Sequence, residues 1–172
     1  MLSLSDNEFS VINFLVRNFT EKLTIRNVAQ RLNFSAAGVF NILKKLEKEG
    51  IVVGQRLGTG LFYSINFDNK LSQHLAAIVL LYSDEKISIN AGQFKHAKSA
   101  ISDKKTLLLV TDNVTNIDAS MPDVNVISKT EDEVMELLRK KDPEMLQLLK
   151  KGVVLFGEEK VVNIIKNCSG GF

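Results

Sequence analysis

One stretch decides the fold: IRNVAQRLNFSAAGVFNILKKLEKEGIV, residues 25–52. It reads as two amphipathic segments around a polar break. Ile25, Val28, Ala29 and Leu32 recur at helical spacing in the first, and Val39, Ile42, Leu43 and Leu46 in the second. Thr24 caps a helix over Ile25–Leu32, Ser35 caps one over Ala36–Glu49, and Asn33-Phe34 is the turn between them. Gly50 follows as a stop at the C′ position. Two helices joined by so short a turn form a helix-turn-helix.

The flanks complete the unit. Upstream, Ser5 and Glu8 form a capping box that opens a helix running to about Phe19, with Phe9, Ile12, Leu15, Val16 and Phe19 on one face. Downstream, Ile51–Leu57 and Leu61–Phe67 are β-rich runs joined by Gly58-Thr59-Gly60, a tight hairpin. Residues 1–68 are therefore expected to form one domain of three helices and a hairpin. Residues 69–84 hold a connecting helix, Asn69–Tyr82. Leu71, Leu75, Ile78 and Tyr82 stripe it, and Ala76, Ala77, Val79, Leu80 and Leu81 fill the rest. A helix apolar nearly all round is expected to be buried on several sides, either between domains or in a dimer contact.

Residues 85–172 read as a second, small α/β domain, which makes the whole chain α+β. Its expected elements are short strands at Ile87–Asn90, Thr106–Thr111 and Val124–Ile127, then a helix capped by Thr130 and Glu133 and running through Lys141. Asp142-Pro143 starts another helix, which Gly152 ends. Val153–Phe156 is extended, Glu158–Asn167 is a last helix, and Ser169–Gly171 is a tail.

The 172 residues carry 22 Lys+Arg against 20 Asp+Glu, a net charge of only +2. The charge is unevenly spread. Residues 1–70 hold nine basic and six acidic residues, net +3, and residues 71–172 hold thirteen and fourteen, net −1. Between residues 22 and 56 the balance is seven to two, net +5. Positive charge gathered on a helix-turn-helix and its hairpin is the footprint of duplex DNA binding. The second helix of such a pair enters the major groove with its first residues at base edges. Here those are Ser35, Ala36 and Ala37, small enough for close approach, with Asn41 one turn on. Asn can pair bidentately with adenine, and an Ala methyl can touch thymine. Lys44, Lys45 and Lys48 are placed to meet phosphates, and Arg56 to reach the backbone or minor groove from the hairpin. Arg26 and Thr59 complete the candidate set. Gly38 has two readings, close approach to DNA or close helix packing.

With those residues in view, Leu23–Phe67 resembles the winged helix-turn-helix transcriptional regulators, including the MarR-like and ArsR-like groups and their archaeal relatives. The likeness rests on residues 25–52 and on the hairpin GQRLGTGLFYSI, residues 54–65. Ala29 sits where the family packs a small residue between its two helices. The resemblance implies sequence-directed binding of double-stranded DNA, as a homodimer, with helix 35–49 in the major groove and wing 51–67 on the backbone or minor groove.

Residues 86–167 resemble the small nucleotidyltransferase-like domain joined to some archaeal winged-helix proteins, best over KDPEMLQLLKKGVVLFGEEKVVNII, residues 141–165. Active members carry a Gly-Ser pair that cradles phosphate and a Ser-Asp-x-Asp that holds metal ions. Here Gly92-Gln93 and Ser102-Asp103-Lys104-Lys105 stand in those places. Asp103 alone survives, and a third carboxylate would be Asp123 or be lost to Asn125. The resemblance therefore implies a degenerate, non-catalytic domain with no metal or cofactor. The alternatives are a working nucleotidyltransferase or a nucleotide-sensing or protein-interaction adaptor. Lys95, Lys98, Lys104 and Lys105 leave room for a small anionic or nucleotide effector.

Composition narrows the class further. Hydrophobic residues make up 45% of the chain, which excludes disorder. One cysteine, Cys168, cannot form an internal disulfide, and two histidines make a zinc site improbable. No basic-then-apolar leader and no apolar run of about 20 residues is visible. The expected setting is cytoplasmic, with no membrane partner.

Overall fold

The structure is a computed structural model that describes residues 3–82, 94, 96–112 and 124–169. The chain divides into two compact units, Met1–Val79 and Leu80–Phe172.

The first unit contains α1 (Asp6–Arg17), α2 (Ile25–Leu32), α3 (Ala36–Lys48), β1 (Val52–Leu57), β2 (Gly60–Ile65) and most of α4 (Lys70–Leu81). Each of the first three helices starts where a side-chain oxygen accepts an otherwise orphaned N–H. Ser5 Oγ accepts from Glu8 N while Glu8 Oε2 accepts from Ser5 N, a reciprocal box at 3.3 and 2.8 Å. Thr24 and Asn27 repeat that exchange at 3.2 and 3.1 Å, and Ser35 Oγ accepts from Gly38 N at 3.0 Å. Helix α1 stops two residues before Phe19 because Asn18 bonds its own helix: its amide side chain and its backbone N–H both donate to Phe14 O.

Val11, Ile12, Leu15, Val16, Val28, Ala29, Val39, Leu43 and Leu46 make the helical core. Val11 takes the place expected for Phe9, which is half-buried, as are Ile25, Leu32 and Ile42 at the helix edges. The turn Asn33-Phe34 is as read. Asn33 takes the left-handed conformation at φ 56, and Phe34 N donates to Ala29 O at 2.9 Å.

The wing is an antiparallel pair with Val52 opposite Ile65 and Leu57 opposite Gly60. The turn is therefore Gly58-Thr59, with Gly58 at φ 61, and Gly60 already belongs to the strand. Tyr63 N donates to Leu23 O at 2.8 Å, which ties the wing to the segment before α2. Gly50 O gathers the amide side chains of Asn66 and Asn69, each at 3.0 Å, and so fixes the exit of α3 to the start of α4. Arg17 is half-buried and donates to Val79 O at 3.3 Å, joining α1 to α4; burial pushes its guanidinium pKa down.

Helix α4 is not buried all round. Ser72, Leu75, Ala76, Val79 and Leu80 are buried, whereas Leu71, Ile78, Leu81 and Tyr82 are exposed, Ile78 by 52%. Of the expected stripe only Leu75 faces inward.

The second unit is a four-stranded sheet in the order β5-β4-β3-β6, formed by β3 (Ser99–Ser102), β4 (Thr106–Thr111), β5 (Asn125–Thr130) and β6 (Val153–Phe156). The pair β4–β5 is parallel, while β3 runs antiparallel to both β4 and β6. Helices α5 (Glu131–Arg139), α6 (Pro143–Lys151) and α7 (Glu158–Ser169) pack on the sheet. Period-two alternation brings Leu107 and Leu109 of β4 to one face, where they cluster with Ala100 and Phe94. Ile101 lies against Leu148 and Gly152 of α6 and its end. Helix α5 ends at Arg139, two residues short of the expected Lys141, which takes the left-handed conformation at φ 58, and Asp142 Oδ1 caps α6 by accepting from Met145 N at 2.9 Å.

Strand β3 was not expected, and it is central. Ser99, Ala100, Ile101 and Ser102 are all essentially inaccessible. A strand covered on both faces loses the alternation that marks a half-buried one. The expected strand Ile87–Asn90, and Lys95, Gly92-Gln93 and Asp123, lie outside the described residues. Among the described residues no helix is long and apolar enough to cross a membrane.

Candidate nucleic-acid interface

Helix α3 has one buried and one exposed side. Val39, Leu43 and Leu46 face the core, which turns Ala36, Ala37, Phe40, Asn41, Lys44 and Lys48 outward. Ala37, Asn41, Lys44 and Lys48 follow each other at steps of three and four, so they form one stripe along the helix. Ser35 stands exposed at its start. Gly38 is half-buried, and a Cβ there would meet only the Ser35 hydroxyl at 2.9 Å. Its bareness makes room for the cap; it does not bring two helices together.

The basic residues fall into two groups, which their count alone could not separate. Lys45 is exposed but already engaged within the unit. Its Nζ lies 2.7 Å from Glu8 Oε1 and donates to Ser3 O at 3.1 Å. Burial opposes the charge on Glu8, but the bonds from Lys45 and from Ser5 N–H outweigh it, and the carboxyl pKa falls below its ordinary value. Bonding to Glu8 raises the Lys45 ammonium in turn. Arg31 is also structural. It pairs with Glu21, donates to Asn18 Oδ1 at 2.7 Å and lies 4.6 Å above the Phe14 ring. Lys44 pairs with Glu47 at 2.8 Å on the surface, an exposed contact of small energetic weight. Among the described residues, Arg26, Lys48 and Arg56 are exposed and make no ion pair.

The wing comes up against α3 at Gly54, where a Cβ would meet Glu47 Oε1 at 2.8 Å and Tyr63 at 3.2 Å. A Cβ there would displace the end of the Glu47 side chain and crowd the Tyr63 ring. Arg56 is close enough to Lys44 to oppose its charge, although the Glu47 hydrogen bond dominates and raises the Lys44 pKa. The free guanidinium of the wing and the outward stripe of α3 therefore face the same region. Thr59 is exposed at the tip.

Sequence reasoning missed Phe40 and Gly54. The signal for Phe40 was present: Val39, Leu43 and Leu46 define the inward side, and Phe40 is turned about 100° away from Val39.

In the second unit the described lysines Lys98 and Lys105 do not converge. Lys98 pairs with Asp112 at 2.6 Å, at one end of the β3–β4 hairpin. Lys105 is at the other end, six residue steps or about 20 Å away along the ladder at 3.3 Å per residue. It lines an open cleft of about 490 Å³ between β5 and α6 with Asp103, Lys129, Asp142 and Glu144, above Ile127, Leu137, Met145 and Leu148. Three acids against two lysines do not favour an anion there. Asp103 Oδ1 accepts from Lys105 N and Thr106 N, both at 2.8 Å, and so locks the hairpin turn. Among the described residues no group of three His, Cys, Asp or Glu could hold a metal ion.

Three helices with a wing, the second and third helix forming the helix-turn-helix, define a winged helix domain. Residues 2–59 match the model of the MarR family, which agrees with the winged helix-turn-helix architecture of the N-terminal unit. A solved structure, that of CymR (YrzC), the global cysteine regulator of B. subtilis, is similar at 13% identity with a TM-score of 0.35, over 55% of this chain and 80% of that one. No curated protein matches the chain.

Proposed function

We propose that the protein is a transcriptional regulator that binds double-stranded DNA through its N-terminal unit. Helix α3 enters the major groove, and the wing lies on the backbone or minor groove. The observation that carries this reading is the outward stripe of α3: small residues at its start, Asn41 one turn on and Lys48 beyond, with unpaired Arg56 on the adjoining wing. Small residues permit close approach, Asn41 offers a bidentate partner for adenine, and the free cations neutralise phosphates.

The same reading includes a homodimer acting in the cytoplasm, with Leu71, Ile78, Leu81 and Tyr82 of α4 and its end as the contact. It also includes a second unit that descends from a nucleotidyltransferase without catalysing transfer. In support of the latter, the carboxylate of Asp103 is occupied by its own turn.

Gel retardation of genomic fragments at about 50 mM salt tests the main reading, because phosphate contacts strengthen as salt falls. Retardation that disappears at higher salt for most fragments and persists for a few is expected. Failure to retard any fragment would overturn it.

A further inference from the structure

Beside the outward stripe of α3 stands one large apolar side chain that the core does not use. Phe40 is 44% exposed, beside the fully buried Val39. A surface helix ordinarily presents polar residues on its open side. Here the first two turns of that side are Ala36, Ala37 and Phe40, and only then do Asn41, Lys44 and Lys48 follow. Helical side chains lean toward the N-terminus, so the Phe40 ring stands over the Ala36–Ala37 end. That is the end of a recognition helix that sits deepest against base edges.

In the major groove only thymine presents an apolar group, its C5-methyl, and phenylalanine is among the side chains that can cover it. We infer that Phe40 is a specificity-determining residue that reads a thymine methyl beside the base met by Asn41. The inference rests on the DNA-binding reading above and deepens it. Charge favours a duplex as the occupant: Lys44 and Lys48 stand one and two turns beyond Phe40, Arg56 of the wing is near Lys44, and the neighbouring carboxylate of Glu47 is held by Lys44.

The experiment uses the full chain to enrich tight binders from a pool of random duplexes about three helical turns long. Each thymine of the enriched site is then replaced in turn by deoxyuridine, which removes the methyl and nothing else. The wild-type protein is expected to bind about fourfold more weakly at one thymine per half-site, the worth of one buried methyl group. The F40A variant, altered at an exposed position, is expected to bind the thymine and uracil duplexes alike. Equal wild-type affinity for both at every position would overturn the inference, as would an F40A protein that still discriminates. DNA affinity unchanged by F40A, together with loss of a protein partner, would also overturn it. Enrichment of no duplex at all would instead overturn the DNA-binding reading itself, which keeps the two failures distinct.

Discussion

Lys45 Nζ and Glu8 Oε1 lie 2.7 Å apart, linking the last turn of α3 to the first turn of α1. Glu8 simultaneously closes the cap of its own helix through Ser5 N at 2.8 Å. One carboxylate thus fixes both the start of α1 and the seating of the helix proposed to read DNA. A lysine placed by helical spacing among phosphate contacts is in fact a strut.

This pair sets a pH dependence. The Glu8 carboxyl is held below its ordinary value of 4.5, so its contribution is fully present above that value and is lost as pH falls through the folded pKa. E8A should destabilise the N-terminal unit by about 1–2 kcal/mol at neutral pH, the range for losing a helix cap. The gap between wild type and E8A in denaturant titrations should narrow below about pH 4, where the carboxylate is ordinarily protonated. A gap that is unchanged in acid would assign the effect to packing alone.

The two groups of cations should separate in salt titrations. K48A and R56A should each lower the slope of log affinity against log salt by about 1, one phosphate contact apiece. K45A should leave the slope unchanged and lower the unfolding midpoint instead, since its ammonium is occupied by Glu8 and Ser3. Equal slope changes for Lys45 and Lys48 would show that the strut opens on DNA.

The turn between α2 and α3 makes a separate demand. Asn33 sits at φ 56, in the left-handed region that branched side chains avoid. N33G should be as stable as the wild type or slightly more so. N33V should lose about 1–2 kcal/mol, seen as a lower thermal midpoint. Tolerance of valine would mean that the turn relaxes out of this conformation.

These contrasts mark what was legible in the chain. Ser5, Thr24 and Ser35 announced their helices because capping is a local interaction, settled within three residues. The pairing of Lys45 with Glu8 spans 37 positions, and spacing within α3 carries no trace of it. Strand β3 was hidden for a different reason. Ser99-Ala100-Ile101-Ser102 is covered on both faces, so neither alternation nor a long apolar run marks it, and its two serines imitate a loop. Asp103, which the resemblance makes the remnant of a metal site, is the turn residue of the hairpin that β3 opens.

Asp103 therefore gives the test for the second unit. Its Oδ1 holds Lys105 N and Thr106 N, while its own N–H donates to Thr106 O at 3.0 Å. D103A removes two hydrogen bonds to a charged acceptor and should cost about 2–3 kcal/mol, with D103N costing less because one acceptor oxygen remains. Both should lower the unfolding midpoint of the second unit and leave DNA affinity in gel retardation unchanged. A structural carboxylate predicts nothing more than that. If the wild type transferred label from a radioactive nucleoside triphosphate, and D103N abolished transfer while keeping its fold, the carboxylate would be serving chemistry and the non-catalytic reading would be lost.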